Sequence, residues 1–279
     1  MTDKTSLEQK VLDELQKTGY PTEIISASVM QRRNWGIIHN PSYLDDSEGR
    51  SREFDIRAYQ QRVFTLSDKK YSVGMFLITE CKKSEKPWVF FTTLEKHNYS
   101  RLGKFIKWSM ASRQVFSSDY SSNAMILDDE LRKFHHYFQQ KHVARTFHEP
   151  FKGQEKSSHT SMIYSAVMSS IKATLFHLNE VSSQSALIVY YPLIVFSGDL
   201  FEARVGSAKD IKLFPVNYIQ LSFNYITRHE SRQSDWAREI PHNFIVDIVQ
   251  ENYLEKFLEV IEFEHELLAS HLEKALTEF

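Results

Sequence analysis

The chain has 279 residues, 42% hydrophobic and 25% charged, enough apolar material for one large core or two small ones. This balance excludes disordered, collagen-like and disulfide-rich chains, and a formal net charge of −2 leaves attraction to a polyanion to local patches. A single cysteine, Cys81, excludes intrachain disulfides and cysteine-based zinc sites. The opening MTDKTSLEQK lacks the apolar segment of a secretory signal. The longest apolar run, 186–196, is shorter than the roughly 18 residues a membrane span needs. These features predict a soluble, cytoplasmic protein with no membrane partner. The eight glycines are too scattered for the phosphate-wrapping turns of Walker or dinucleotide-binding folds.

Residues 6–17 predict a helix, because Leu7, Val11, Leu12 and Leu15 recur at helical spacing and Gly19 supplies a stop. Three short alternating stretches follow, TEIISASVM, SREFDIRAYQQRVF and YSVGMFLITEC, and predict three antiparallel strands. The segments NPSYLDDSEGR and SDKK between them are turn-rich. The apolar stretch 88–91 fits either an edge strand or a packed connection. Residues 95–158 mix helical patches with serine-rich segments and are taken as a helical insertion. Helical spacing returns at Ile163, Val167, Ile171, Leu175 and Leu178, followed by the buried-strand signal ALIVYYPLIVF. VNYIQLSFNYI and NFIVDIV predict further strands, and an amphipathic helix closes the chain with Leu254, Phe257, Leu258, Ile261, Leu268, Leu272 and Leu276 on one side. This order predicts one elaborated α/β domain over 1–279, with core segments 6–94 and 159–205, an insertion at 95–158 and a C-terminal strand and helix extension at 206–279.

Charge is unevenly placed. Residues 1–110 hold 18 Lys/Arg against 14 Asp/Glu, whereas residues 241–279 hold 2 against 9. The pairs Arg32–Arg33, Arg50–Arg52, Lys69–Lys70 and Lys82–Lys83 are candidate phosphate contacts, with solvated faces as the alternative.

The most informative residues lie on the second and third predicted strands. A turn centred between Ser67 and Asp68 pairs residues whose numbers sum to about 135. That register sets Asp55 opposite Glu80 and Glu53 opposite Lys82. The two-residue period puts Glu80 and Lys82 on one side of their strand with Phe76 and Ile78, and Thr79 and Cys81 on the other. Carboxylates beside apolar strand segments are costly unless a cation neutralises them. Asp55 and Glu80 are suited to hold a hard divalent cation such as Mg²⁺, and Lys82 to orient an attacking water or stabilise a pentacovalent phosphate. Glu8, within the apolar stripe of the first helix, is a fourth candidate, unless it completes a T-x-x-E capping box with Thr5.

The segments LEQKVLDEL, REFDIRA and FLITECKK together resemble the PD-(D/E)XK nuclease superfamily. The resemblance covers residues 6–91, fits 160–205 only as a second helix and following strand, and is silent beyond Ala203. It implies a restriction-endonuclease-like core of helix, three antiparallel strands, helix and strand, with a helical insertion and a C-terminal helix. It implies that Asp55, Glu80 and the Cys81 carbonyl ligate Mg²⁺, with Mn²⁺ as a substitute, that Lys82 is the catalytic lysine, and that Glu8 assists. It further implies a metal-dependent endonuclease acting on nucleic acid, DNA ahead of RNA, in genome defence or repair, as a homodimer or with a protein partner. Phe54 stands where the motif's proline is expected, and no Q-x-x-x-Y element follows Glu80, so no branch of the superfamily is assigned.

The same residues also fit other readings. Asp55 or Glu53 with Lys82 fits a structural cross-strand ion pair. His135, His136, His142 and His148 lack the H-x-x-x-H spacing of a helical zinc site and read as solvated helix positions. No G-x-S-x-G elbow supports Ser-His-Asp catalysis. Cys81 reads as a packed core residue, and the terminal helix as core or dimer contact. A non-catalytic binding or regulatory protein on a nuclease fold, or an RNA nuclease, remains the competing reading.

Overall fold

Helix α1 (Leu7–Lys17) starts at Ser6, whose hydroxyl accepts the Gln9 amide at 3.1 Å, so Ser6 rather than Thr5 caps it. The computed structural model describes residues 6–45, 47–66, 68–94, 134–150, 161–180, 186–206, 210–225 and 243–277. The apolar stripe of α1 faces outward, and the helix buries none of its residues.

The first predicted strand is instead a helix, α2 (Tyr20–Arg32). Pro21 is tolerated in its first turn because the amides there have no intrahelical partner. Glu23 in the first turn and Arg32 in the last complement the helix dipole. The buried set Thr22, Glu23, Ser26, Ala27, Val29 and Met30 follows helical spacing, and the small Ser26 and Ala27 let the helix lie close on the sheet. A two-residue period puts the adjacent Ser26 and Ala27 on opposite faces, so TEIISASVM carries only a weak strand alternation.

Strands β1 (Gly36–His39), β4 (Ile56–Leu66) and β5 (Lys69–Lys83) form an antiparallel series, while β2 (Ser42–Asp45), in the predicted turn segment, and β3 (Arg50–Glu53), at the start of the predicted second strand, make a separate two-stranded sheet. The stretch left open between edge strand and connection is β6 (Trp88–Leu94), an interior strand. The described part of the predicted insertion holds the short helix α3 (His136–Gln139) and a sheet strand, β7 (His142–His148), so that region is not wholly helical. Helix α4 (Met162–Glu180) and strand β8 (Ala186–Ser197) follow as expected. Strands β9 (Leu200–Val205), β10 (Ile211–Pro215), β11 (Tyr218–Asn224) and β12 (Asn243–Gln250), then helix α5 (Leu254–Thr277), complete the described chain.

The result is a mixed α/β fold around one ten-stranded sheet, ordered β1-β4-β5-β8-β12-β11-β7-β6-β9-β10. β8 runs parallel to β5, and β12 runs parallel to β8. The segment expected as an extension therefore supplies a central strand. Alternation along the strands separates two cores. Ile56, Ala58, Met75, Leu77 and Cys81 pack with α2 and α5, while Ile78, Tyr190 and Phe76 pack with Ala173 and Leu178 of α4 and with Tyr43 and Phe54 of the small hairpin. Helix α5 is pinned by Arg33, which grips Glu262 at 2.7 and 3.0 Å, by Trp35 Nε1, which donates to the same carboxylate at 2.9 Å, and by His265 Nε2, 2.9 Å from the Val73 carbonyl oxygen. Among the described residues, no helix is long and apolar enough to cross a membrane.

Candidate functional site

The β4–β5 hairpin pairs Ile56 with Thr79, a sum of 135, so the next position outward brings Asp55 beside Glu80. Glu80 and Lys82 share the α4 face of β5, whereas Cys81 turns its side chain into the opposite core. The Asp55 carboxylate reaches across the end of the hairpin, and its Oδ2 accepts the Cys81 amide at 2.6 Å. The Lys82 ammonium sits among three oxygens: Glu80 Oε2 at 2.5 Å, Cys81 O at 3.2 Å and Asp55 Oδ2 at 3.3 Å. Glu80 is nearly enclosed, its side chain 6% exposed, while Asp55 and Lys82 are 27% and 24% exposed and leave the site open on one side.

Burial pushes the Glu80 carboxyl above the usual carboxylate range; Lys82 opposes the shift and Asp55 adds to it. Burial works to lower the Lys82 ammonium, but Glu80 and Asp55 outweigh it and hold the group above the ordinary lysine value. Lys82 is therefore a fixed positive charge at neutral pH rather than a base. Two carboxylates against one ammonium leave the cluster one negative charge in excess when both acids are ionised. Its donor set is all oxygen, two carboxylates and a backbone carbonyl, the chemistry a hard divalent cation selects. The residues therefore fit such an ion. The thiol of Cys81 takes no part, since burial pushes it well above its ordinary value.

Of the predicted site residues, Asp55, Glu80, Cys81 and Lys82 come together and Glu8 does not. Glu8 is exposed in the first turn of α1, at the opposite end of that helix from Gln16, whose carbonyl oxygen accepts from Lys83 Nζ at 2.5 Å. Glu53 is not opposite Lys82; it pairs with Ser42 in the small hairpin, because the chain breaks from β3 to β4 before Asp55. The basic pairs also divide: Arg33 is bound to Glu262, and Arg50 and Arg52 to Glu48, which leaves these three arginines on acids rather than free for phosphate.

Two neighbours escaped the sequence reading. Ser169 of α4 donates to Glu80 Oε1 at 2.5 Å and so holds the carboxylate from the side opposite Lys82. The buried acid of the helical layer is Glu23 rather than Glu8. It lies one turn after Gly19, where an added Cβ would stand 3.6 Å from the Cys81 carbonyl oxygen, and its carboxylate faces His39 Nδ1 at 3.3 Å. The available signal is a glutamate just after Gly19 and Pro21, a helix-start pattern that a strand over 22–30 conceals.

The histidines differ from expectation as well. His135 and His136 are buried rather than solvated, at 2% and 4% exposure, against Glu264 of α5 and Asp247 of β12. His142 and His148 bound strand β7 rather than lying on a helix. Comparison with known proteins finds no matching family model, no matching curated protein and no matching solved structure.

Proposed function

We propose that this protein is a divalent-cation-dependent nuclease of the PD-(D/E)XK type, acting on DNA ahead of RNA. The observation that carries the reading is the convergence of Asp55 Oδ2, Glu80 Oε2 and the Cys81 carbonyl oxygen on one cation, the Lys82 ammonium. These are the three oxygens that the sequence resemblance assigns to Mg²⁺. The order α2, β1, β4, β5, α4, β8, with β1, β4 and β5 antiparallel and β8 parallel to β5, supports a restriction-endonuclease-like core within the larger sheet.

In this reading Asp55, Glu80 and the Cys81 carbonyl hold Mg²⁺ or Mn²⁺. When bound, the ion supplies positive charge to the phosphoryl oxygens and acidifies a water. Ser169 fixes one Glu80 oxygen so that the other stays directed at the cation position. Asp55 is held at the hairpin end by the Cys81 amide. Lys82, protonated at working pH, yields its place among the carboxylates and turns its charge to the phosphate, where negative charge grows as the pentacovalent state forms.

The test is cleavage of supercoiled plasmid, linear duplex, single-stranded DNA and RNA in Mg²⁺ or Mn²⁺ by wild type, Glu80→Ala and Lys82→Ala. EDTA-sensitive loss of substrate in the wild type alone supports the proposal and names the substrate class. Equal inertness of all three folded proteins refutes turnover by the chain and favours a binding protein on the same scaffold.

A further inference from the structure

The groups His135, His136, Asp247 and Glu264 form a second ionisable cluster, on elements that play no part in the Asp55 site. His136 Nδ1 lies 2.9 Å from each oxygen of Glu264, and its Nε2 lies 3.1 Å from Asp247 Oδ2. The backbone amide of His136 donates to the same Glu264 carboxylate. His135 Nε2 stands 3.7 Å from Glu264 Oε2 and 3.3 Å from the Tyr191 hydroxyl. A cavity of about 10 Å³, lined by His135, Glu264, Leu267 and Leu268, adjoins these atoms and has room for about one water-sized occupant.

Charge bookkeeping shows what is missing. An unprotonated His136 Nδ1 would point its lone pair at two carboxylate oxygens, so a cation has to lie between them. With a proton there and both carboxylates ionised, His136, Asp247 and Glu264 sum to −1, and His135, whose Nδ1 accepts the Tyr137 amide at 3.2 Å, adds no charge. That sum is an excess charge in a buried site, eased only by the His136 amide and the Tyr218 hydroxyl that donate to the two acids. A divalent ion in place of that proton brings the sum to zero.

The geometry points to a structural metal site in which His135 Nε2, His136 Nδ1 and Glu264 bind one divalent transition-metal ion, Zn²⁺ by its donor set. The ligand atoms all lie within 4.8 Å of one another. Ligand bonds of about 2.0–2.1 Å in a tetrahedral shell set neighbouring ligands roughly 3.4 Å apart; the two distances to Glu264, 2.9 and 3.7 Å, lie on either side of that spacing, and the two imidazole nitrogens, within 4.8 Å of each other, turn in on the ion. Two imidazoles with one carboxylate select zinc over magnesium. Asp247 supplies the outer partner such sites use. It accepts from His136 Nε2, leaves Nδ1 for the ion, and is itself held by the Tyr218 hydroxyl at 2.7 Å. Loading releases the His136 Nδ1 proton to solvent and shifts the His135 proton from Nε2 to Nδ1, where the Tyr137 amide contact is given up. The cavity places a water as fourth ligand. With no open face, the ion is a cross-link that ties the segment before β7 to α5, across 128 residues of chain.

The test uses the full chain without a polyhistidine tag, unfolded in guanidinium with EDTA, refolded with Zn²⁺, dialysed and assayed for bound metal. The expected content is about one zinc per chain, kept in Asp55→Ala and lost in His135→Phe and Glu264→Gln. In long-range ¹H–¹⁵N spectra the loaded protein shows His135 protonated on Nδ1 and His136 on Nε2. Refolded wild type that retains no zinc, equal uptake by folded His135→Phe, or imidazole signals unchanged by zinc overturns the site and leaves a network held by the His136 proton. Should both variants fail to fold, Co²⁺-loaded wild type decides. The intense visible bands of a four-coordinate site support the inference, and a pale six-coordinate spectrum overturns it.

Discussion

Replacing Lys82 by alanine removes the ammonium that lies between Glu80 and Asp55. The ammonium lies 2.5 Å from Glu80 and 3.3 Å from Asp55, and Glu80 has almost no access to water. Removing one partner of a buried ion pair costs about 3–5 kcal/mol, and the partial exposure of Asp55 places Lys82→Ala at the lower end, about 3 kcal/mol. For a chain of this size each kcal/mol moves the unfolding temperature by about 2 °C, so a drop of about 6 °C is expected in EDTA. If the three oxygens form a cation site, Mg²⁺ takes the vacated position. At about 100 times its dissociation constant it returns roughly 2.7 kcal/mol, nearly the whole loss, and the shift exceeds that of the wild type because no ammonium competes. The assay is thermal unfolding of both proteins in EDTA, Mg²⁺ and Ca²⁺. The double variant Glu80→Gln/Lys82→Ala provides a cycle: removing the buried charge recovers stability in EDTA and abolishes the Mg²⁺ response. A Lys82→Ala protein whose lost stability no divalent cation restores would refute the cation site and leave a structural ion pair.

Ser169→Ala removes the donor to Glu80 Oε1, which raises the Glu80 pKa further. It is expected to weaken Mg²⁺ binding about 5- to 10-fold, the worth of roughly 1–1.5 kcal/mol for a hydrogen bond, read by titration calorimetry in the Lys82→Ala background. His177, buried against Phe54 and Tyr190, has its pKa lowered to about 4, first by burial and then by Arg57. A folded-state value below the unfolded 6.5 means that the unfolded chain binds more protons between these pH values. Stability present above pH 6.5 is therefore lost on acidification toward pH 4, by about 3 kcal/mol at most, and denaturant midpoints of His177→Phe should flatten over that window. Gly198 lies in the β8–β9 turn, where an added Cβ would come within 2.5 Å of the Ser84 carbonyl oxygen. Gly198→Ala should cost about 1–3 kcal/mol through the forced backbone shift, measurable by urea unfolding.

The Asp55–Glu80–Lys82 grouping was legible because it is local. A hairpin register and a two-residue period are properties of one short stretch of chain, and they set these side chains at one strand end whatever else the protein does. Helix α4, strand β8 and helix α5 were legible for a similar reason, each carrying a strong periodic or continuous apolar signal. The segment 22–30 was not, since the small Ser26, Ala27 and Ser28 carry little hydrophobic signal of either period. Only the sheet surface beneath makes Ser26 and Ala27 buried positions of a helix. With that helix misread, Glu23 was invisible and Glu8 took its place.

What tertiary structure alone decided lies at long range. Sequence periodicity does not order strands within a sheet, so it could not place β12 between β8 and β11, nor make His142–His148 an interior strand. Ser169 meets Glu80 across 89 residues, and His136 meets Glu264 across 128. Such contacts leave no pattern in either segment, because burial of a serine, a histidine or a glutamate depends on which element packs over it. The sequence by itself therefore determined the chemistry at one hairpin end, through local geometry. The packing of distant elements decided which side chains hold that chemistry in place and where a second cluster of ligating groups is enclosed.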